Sequence, residues 1–322
     1  MNIVKQPLPI ALLTLIGLAS MAIFLSDGFL LSGGVEAESL TPLAQWIEGW
    51  QEGHPLTARL LALFLVITEA LMIARIGTRH SLYSGGSPIS MPLFALTALG
   101  VLQSPNELTG ILGALLLVRA LRNFSASARN GYTFTPLFRG ALYLGLLPLL
   151  HAPALLLIPL SGCALILFRR TLREGIITLG GLLLPLGSAC YLSWAFGGNL
   201  EAPLMQITSI LSQAPRLPLF ERASFLLILQ LLILLSASLC ALFFLSSRYN
   251  ATKARSILSL FSWGYILSLA MLLTRGATAN LFPLVAVPTT LLLPYLFVRL
   301  RPLYANTLYG ALILCFLLRL LL

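Results

Sequence analysis

The cations of this chain are gathered in short clusters, and long apolar stretches almost free of charge separate them; that alternation predicts a polytopic bundle of membrane-spanning helices. Hydrophobic residues make up 58% of the 322 positions and charged residues 9%, with a mean hydropathy of +0.94. A soluble domain carries about a quarter charged residues. So apolar a chain has too few polar side chains to cover itself, and its surface has to face lipid.

An apolar helix needs roughly 20 residues to cross a hydrocarbon core of about 30 Å, and a bundle can enclose shorter ones. Eleven segments qualify as spans: 8 to 26, 57 to 75, 89 to 103, 108 to 121, 137 to 150, 153 to 168, 175 to 195, 223 to 246, 257 to 274, 281 to 298 and 303 to 321. The expected architecture is all-α, one integral membrane domain over residues 1–322. Either of its two short pairs, 89 to 121 or 137 to 168, can be lost without reversing any other span, so nine to eleven spans are expected.

Orientation follows from charge. With Lys5 inside and each span reversing direction, Arg75, Arg79, Arg119, Arg122, Arg129, Arg139, Arg169, Arg170, Arg173, Arg248, Lys253, Arg255, Arg299 and Arg301 fall on the same side as Lys5. Arg59, Arg216, Arg222, Arg275 and Arg319 fall opposite. The positive-inside rule makes the richer side cytoplasmic, and with it the N-terminus. The first apolar segment is long and leaves through Ser26-Asp27-Gly28-Phe29 without a small-x-small cleavage site, which reads as a retained anchor.

Several function classes are excluded. The net charge of +10 comes from cations at helix ends and forms no continuous basic face, so a nucleic-acid partner is not expected. Cys163, Cys190, Cys240 and Cys315 all lie in apolar segments without paired spacing, so neither a disulfide framework nor a thiolate metal site is expected. His54, His80 and His151 are scattered and too few for a four-histidine iron centre. Ser84-Gly85-Gly86-Ser87-Pro88 lacks the lysine of a phosphate loop. No inverted repeat is visible.

Eight of the ten acids, Asp27, Glu36, Glu38, Glu48, Glu52, Glu107, Glu201 and Glu221, fall on the expected outer side. Glu174 follows a run of arginines on the inner side, and Glu69 sits in mid-span. The first outer loop, 27 to 56, contains Leu40, Leu43, Ala44, Ile47 and Trp50 at helical spacing, which predicts a surface helix from Ser39 to Gly53. Ser39 is its expected cap, and Trp46 and Trp50 suit a membrane interface. A second long outer loop, 196 to 222, opens Phe196-Gly197-Gly198-Asn199 and predicts another short amphipathic helix through Leu204, Ile207, Ile210 and Leu211. Other outer turns are short, so activity is expected at the membrane's outer surface.

With an acid just after the first span, surface helices in the loop behind it, the glycine-spaced segment Arg139-Gly140-Ala141-Leu142-Tyr143-Leu144-Gly145-Leu146, then His151-Ala152-Pro153-Ala154-Leu155-Leu156, then Arg169-Arg170-Thr171-Leu172 and a span holding Pro185, the chain resembles the C-type (GT-C-like) glycosyltransferases. The resemblance covers roughly residues 1–200, with 201–322 as C-terminal helices. Those enzymes move a sugar from a polyprenyl-phosphate carrier at the outer membrane face and place a catalytic Asp or Glu in the first outer loop. The resemblance gives that place to Asp27, although Asp27-Gly28 replaces the paired acids common there. The run Phe138 to Arg173 is also similar to a group of uncharacterised bacterial membrane proteins of about this length, which implies no activity but does imply a bacterial inner-membrane location.

Transfer from a polyprenyl phosphate needs a carboxylate to deprotonate the acceptor hydroxyl or hold a divalent cation, and cations facing the leaving phosphate. Asp27 is the candidate base or metal ligand, and a divalent cation held there is the one cofactor in question. The alternative for Asp27 is a turn residue, since Asp-Gly is a common turn dipeptide. Arg275, in the turn Arg275-Gly276-Ala277-Thr278-Ala279-Asn280, suits a phosphate by its fork geometry, with Arg59, Arg216 and Arg222 as alternatives. Glu48, Glu52 and His54 complete the candidate substrate-binding set, with ending the surface helix as the other reading of His54. Glu69 costs about 2.5 to 3.5 kcal/mol if charged in mid-span, so it is expected to face the bundle interior.

Three functions remain open at this level. One is sugar transfer from a polyprenyl-phosphate carrier in cell-envelope glycan synthesis. Another is a non-catalytic relative acting as an envelope-assembly partner or scaffold. The third is a transporter of a small solute or lipid using Glu69. Membrane lipid is a partner in all of them.

Overall fold

A computed structural model of the protein describes residues 6–25, 41–80, 88–99, 107–128, 131–212, 252–274 and 276–321. Among the described residues there are twelve α-helices and no strand. They are α1 (Leu8–Leu25), α2 (Pro42–Gly53), α3 (Pro55–Arg79), α4 (Ser90–Ala98), α5 (Glu107–Ala126), α6 (Phe134–Leu150), α7 (Pro159–Leu167), α8 (Leu172–Ala195), α9 (Ala202–Ser212), α10 (Thr252–Leu272), α11 (Phe282–Arg299) and α12 (Pro302–Leu321). Short 3-10 turns, Ala152–Leu157 and Ala279–Leu281, precede α7 and α11.

Four helices, α3, α5, α8 and α10, are long and apolar enough to cross a membrane. Each expected apolar segment contains helix except 223 to 246, which lies outside the described residues. Several helices run past the expected bounds: α5 carries Arg119 and Arg122 within it, and α10 starts with Lys253 and Arg255 already in its first turns. Hydropathy stops at a charge, whereas a helix continues while its long cationic side chains extend beyond the apolar zone.

Two expected spans differ. The segment 89 to 103 forms, over its described part, the nine-residue helix α4, about 14 Å long and less than half of a hydrocarbon core. Every residue of α4 is buried, enclosed by α1, α3, α11 and α12. Being apolar all round, it reads in the sequence like a lipid-facing span, although protein surrounds it. The segment 153 to 168 is likewise broken into the 3-10 turn and α7.

Exposed apolar surface runs along α3 and α8. On α3, Leu56, Leu60 and Phe64 repeat every four residues along one exposed stripe. On α8, Leu172, Ile176, Leu179, Leu183 and Trp194 are exposed while Thr178, Gly181, Leu182 and Pro185 are buried. An exposed apolar face on a helix of this length suits lipid and not water.

The pairing of α6 with α8 explains the glycine spacing around residue 140. A Cβ placed on Gly145 would lie 2.5 Å from the carbonyl oxygen of Leu182, and one on Gly181 would lie 2.7 Å from that of Phe138. On its other side α6 meets α5, where Gly140 lies against the ring of Phe124. Between apolar helices in lipid, close backbone approach through small residues replaces the hydrophobic driving force.

The turn from α7 into α8 is fixed by hydrogen bonds. Arg169 adopts φ 51° as the N–H of Arg170 donates to Leu165 O (2.9 Å) and that of Arg169 to Ile166 O (3.1 Å), the Schellman closure of α7. Thr171 and Glu174 then form a capping box at the start of α8.

Candidate functional site

The expected site residues divide into those the structure describes and those it does not. Asp27, Arg216, Arg222 and Arg275 lie outside the described residues. Glu48, Glu52, His54 and Arg59 lie along the two helices that meet where α2 ends and α3 begins. Glu48 and Glu52 are one turn apart on α2, and His54 stacks on Trp50 with ring centroids 5.8 Å apart. His54 is exposed and connects the two helices, and Arg59 is half-buried in the second turn of α3.

The surface helix of the first loop exists, with a different cap. Thr41 occupies the N-cap of α2, and Ser39 lies outside the described residues. The Thr41 hydroxyl does not cap its own helix; it donates to the carbonyl oxygen of Leu150 at 3.0 Å. Leu150 ends α6, so its carbonyl is one of those that a helix C-terminus leaves unsatisfied. This bond seats α2 on the end of α6. Ala44 and Ile47 turn inward while Leu43 and Trp46 stay exposed.

The same end of the bundle gathers the other expected outer segments. Ile207 and Ile210 of α9 share a small apolar cluster with Ala152. A Cβ on Gly276, at φ 75°, would lie 2.5 Å from the carbonyl oxygen of Ile210. A Cβ on Gly110, in the first turn of α5, would lie 2.5 Å from the carbonyl oxygen of Asn280. Thus α2, α9, the start of α5 and the segment 276–281 converge around the C-terminus of α6.

His151, the residue after α6, lies at the centre of this convergence. It is 8% exposed, and its ring is hydrogen-bonded to the backbone of Thr109. Its Nε2 has no partner. Burial pushes the imidazole down to about 4, so it is neutral at physiological pH. Asn280 is 4% exposed and its Oδ1 is likewise without a partner. In the sequence His151 is one scattered histidine and Asn280 a turn residue; nothing local in the chain signals that both lie against the start of α5.

The opposite end is a closed polar network. Glu174 Oε1 accepts from the backbone N–H and hydroxyl of Thr133, at 3.0 and 3.2 Å, and pairs with Arg170 at 3.3 Å. Arg170 also donates to the carbonyls of Gly131 (2.8 Å) and Ser127. These bonds lock the α5–α6 loop to the start of α8, and they make Glu174 a structural carboxylate.

Comparison with protein-family models, curated proteins and solved structures gave no match. Among the described residues no three His, Cys, Asp or Glu side chains come close enough to hold a metal ion. Glu69 is the remaining candidate. It is fully buried within α3, and among the described residues neither of its carboxyl oxygens has a partner. The interior placement agrees with the cost of exposing a carboxyl to lipid.

Proposed function

We propose that this protein is a multi-pass protein of the bacterial inner membrane, with a cytoplasmic N-terminus and nine to eleven spans. In this reading it is a GT-C-like protein that transfers a sugar from a polyprenyl-phosphate carrier at the outer face during cell-envelope glycan synthesis. The observation that carries the reading is the convergence of α2, α9 and the segment 276–281 at one end of the bundle. Charge patterning assigns these segments to the outer side, and they flank in sequence the loop with Asp27 and the position of Arg275. Such an end, roofed by amphipathic helices, suits a substrate whose headgroup lies at the interface and whose chain remains in lipid.

In this mechanism Asp27 deprotonates the acceptor hydroxyl or holds a divalent cation, and Arg275 balances the charge that develops on the leaving phosphate. The test is consumption of a polyprenyl-phosphate sugar by purified protein in proteoliposomes. Asp27→Asn abolishes consumption while the folded protein accumulates normally; wild-type rates in that variant would remove Asp27 from the mechanism.

A second reading is favoured by Glu69, a buried carboxyl with both oxygens unpartnered in a helix long enough to span. There the protein is a transporter of a small solute or lipid, and Glu69→Gln abolishes pH-coupled uptake into proteoliposomes. Full uptake by that variant would sink this reading.

A further inference from the structure

The His151 ring and the Asn280 backbone carbonyl, from different elements, rest against one face of α5, and among the described residues each of these two residues keeps a buried side-chain polar atom without a partner. A Cβ on Gly113 would lie 3.2 Å from His151 Cδ2 and 3.5 Å from His151 Nε2, while the Asn280 carbonyl occupies the same position over Gly110. Residues three apart in a helix share a face and lie about 5–6 Å from each other. His151 and Asn280 are therefore neighbours over the Gly110–Gly113 face. The N-terminus of α11 closes the far side, with Pro283 Cγ 3.3 Å from a Cβ on Gly110 and Leu284 Cδ1 3.0 Å from one on Gly113.

We propose that His151 Nε2 and Asn280 Oδ1 form a binding site for two neighbouring hydroxyl groups of an uncharged, hydroxyl-rich ligand, a sugar or other polyol, at this end of the bundle. Because the ring hydrogen-bonds to the Thr109 backbone and is neutral, the hydrogen lies on the nitrogen facing that carbonyl and Nε2 offers a lone pair. Asn280 Oδ1 is also an acceptor. Two neutral acceptors offer nothing to an anion and are too few to hold a metal cation; the groups they fit are O–H donors. A buried acceptor left without a donor destabilises the fold, and a bound hydroxyl removes part of that cost.

The ligand's route is the roof of the site. Thr41, immediately before α2, donates its hydroxyl to Leu150, the residue before His151, and Ile210 of α9 adjoins Ala152 immediately after it. Two short amphipathic helices thus flank the histidine. The site contains no reacting atom and does not rest on the transfer reading: a transporter or an assembly partner would need recognition of the same kind.

The experiment is a titration of intact protein, labelled with ¹⁵N-histidine, in phosphatidylcholine nanodiscs. With three histidines in the chain, the Nε2 resonance of His151 is identified by its loss in His151→Phe. One arm adds monoglucosyl diacylglycerol to the nanodiscs; the other adds free glucose. The glycolipid is expected to move the His151 Nε2 resonance and to leave those of His54 and His80 in place, with Asn280→Leu weakening the response about tenfold, as loss of one hydrogen bond implies. A response to free glucose alone still supports the hydroxyl site and assigns it to a soluble polyol. If neither probe moves the wild-type resonance, or if Asn280→Leu responds like wild type, the proposal is overturned. The wild-type titration decides even where a variant fails to fold.

Discussion

Thr133, in the loop between α5 and α6, donates both its backbone N–H and its hydroxyl to one carboxylate oxygen of Glu174, at 3.0 and 3.2 Å. The other oxygen of the same carboxylate receives the N–H and hydroxyl of Thr171 at 3.0 and 3.1 Å. One buried side chain thereby caps α8, anchors the preceding loop and pairs with Arg170. Three separate elements are held at one point.

Glu174→Gln removes the charge and replaces an acceptor by an NH2 that faces other donors. The expected loss is about 1–3 kcal/mol, the range for a cap and buried hydrogen bonds to a charged group. Thermal unfolding of the purified variant in detergent checks it; a midpoint equal to wild type would show that the network contributes nothing. Activity measured on the surviving folded fraction is expected to be unchanged, since this end lies across the bundle from the candidate site.

The α6–α8 contact makes a sharper test, because glycines on the same helix differ in what surrounds them. Gly145→Ala and Gly181→Ala each put a methyl against a backbone carbonyl, which cannot move aside as a side-chain tip can. Each is expected to cost about 1–3 kcal/mol by overpacking. Gly180→Ala and Gly187→Ala, in the same helix with open space at the added atom, are expected to be neutral or to gain up to about 1 kcal/mol from helix propensity. Equal effects in the two sets, read by denaturation in detergent, would mean that α6 and α8 do not pack through these residues.

Stability is expected to depend on pH through His151. Its folded-state value near 4 lies below the unfolded value of about 6.5, so the unfolded chain binds the extra proton between them. Above about pH 6.5 both states are neutral and nothing is lost. As pH falls from there to about 4, folded stability drops by about 3 kcal/mol and then levels. His151→Gln, which keeps an acceptor without titrating, is expected to flatten this part of the profile; an unchanged slope in that variant would assign the pH dependence to other groups.

Membrane character and most helices were legible in the sequence because lipid imposes a simple rule, and a charge-free run long enough to cross has few alternatives. The surface helix α2 was legible from its period, and the glycine spacing of 140 and 145 from its pattern. What failed was enclosure. The all-apolar run of α4 reads as a span whether lipid or protein surrounds it, and only tertiary contact with α1, α3, α11 and α12 tells the two apart. The site was legible only in its peripheral parts. His54 and Glu52 stood out by residue type and are exposed, whereas the His151 ring and the Asn280 backbone come to one face of the bundle only because α5 presents Gly110 and Gly113 one turn apart to them.

Glu69 separates structure from function most directly. A fully buried carboxyl with no partner for either oxygen is a burden on the fold, since the desolvation of each polar atom goes uncompensated. Replacing it by a hydrophobic side chain of similar volume removes that burden, as exchange of buried polar groups for apolar ones often does. Glu69→Leu is therefore expected to raise folded stability by about 1 kcal/mol or more, read as a higher unfolding midpoint in detergent. Retention of an unfavourable group calls for a use, so the same variant is then assayed for solute uptake and for consumption of a lipid-linked sugar. Loss of uptake in a more stable protein makes Glu69 a working residue of transport. Retained sugar transfer in that protein makes it dispensable to the site at the bundle end. A drop in stability would instead mean that Glu69 has a partner in the membrane and belongs to the core.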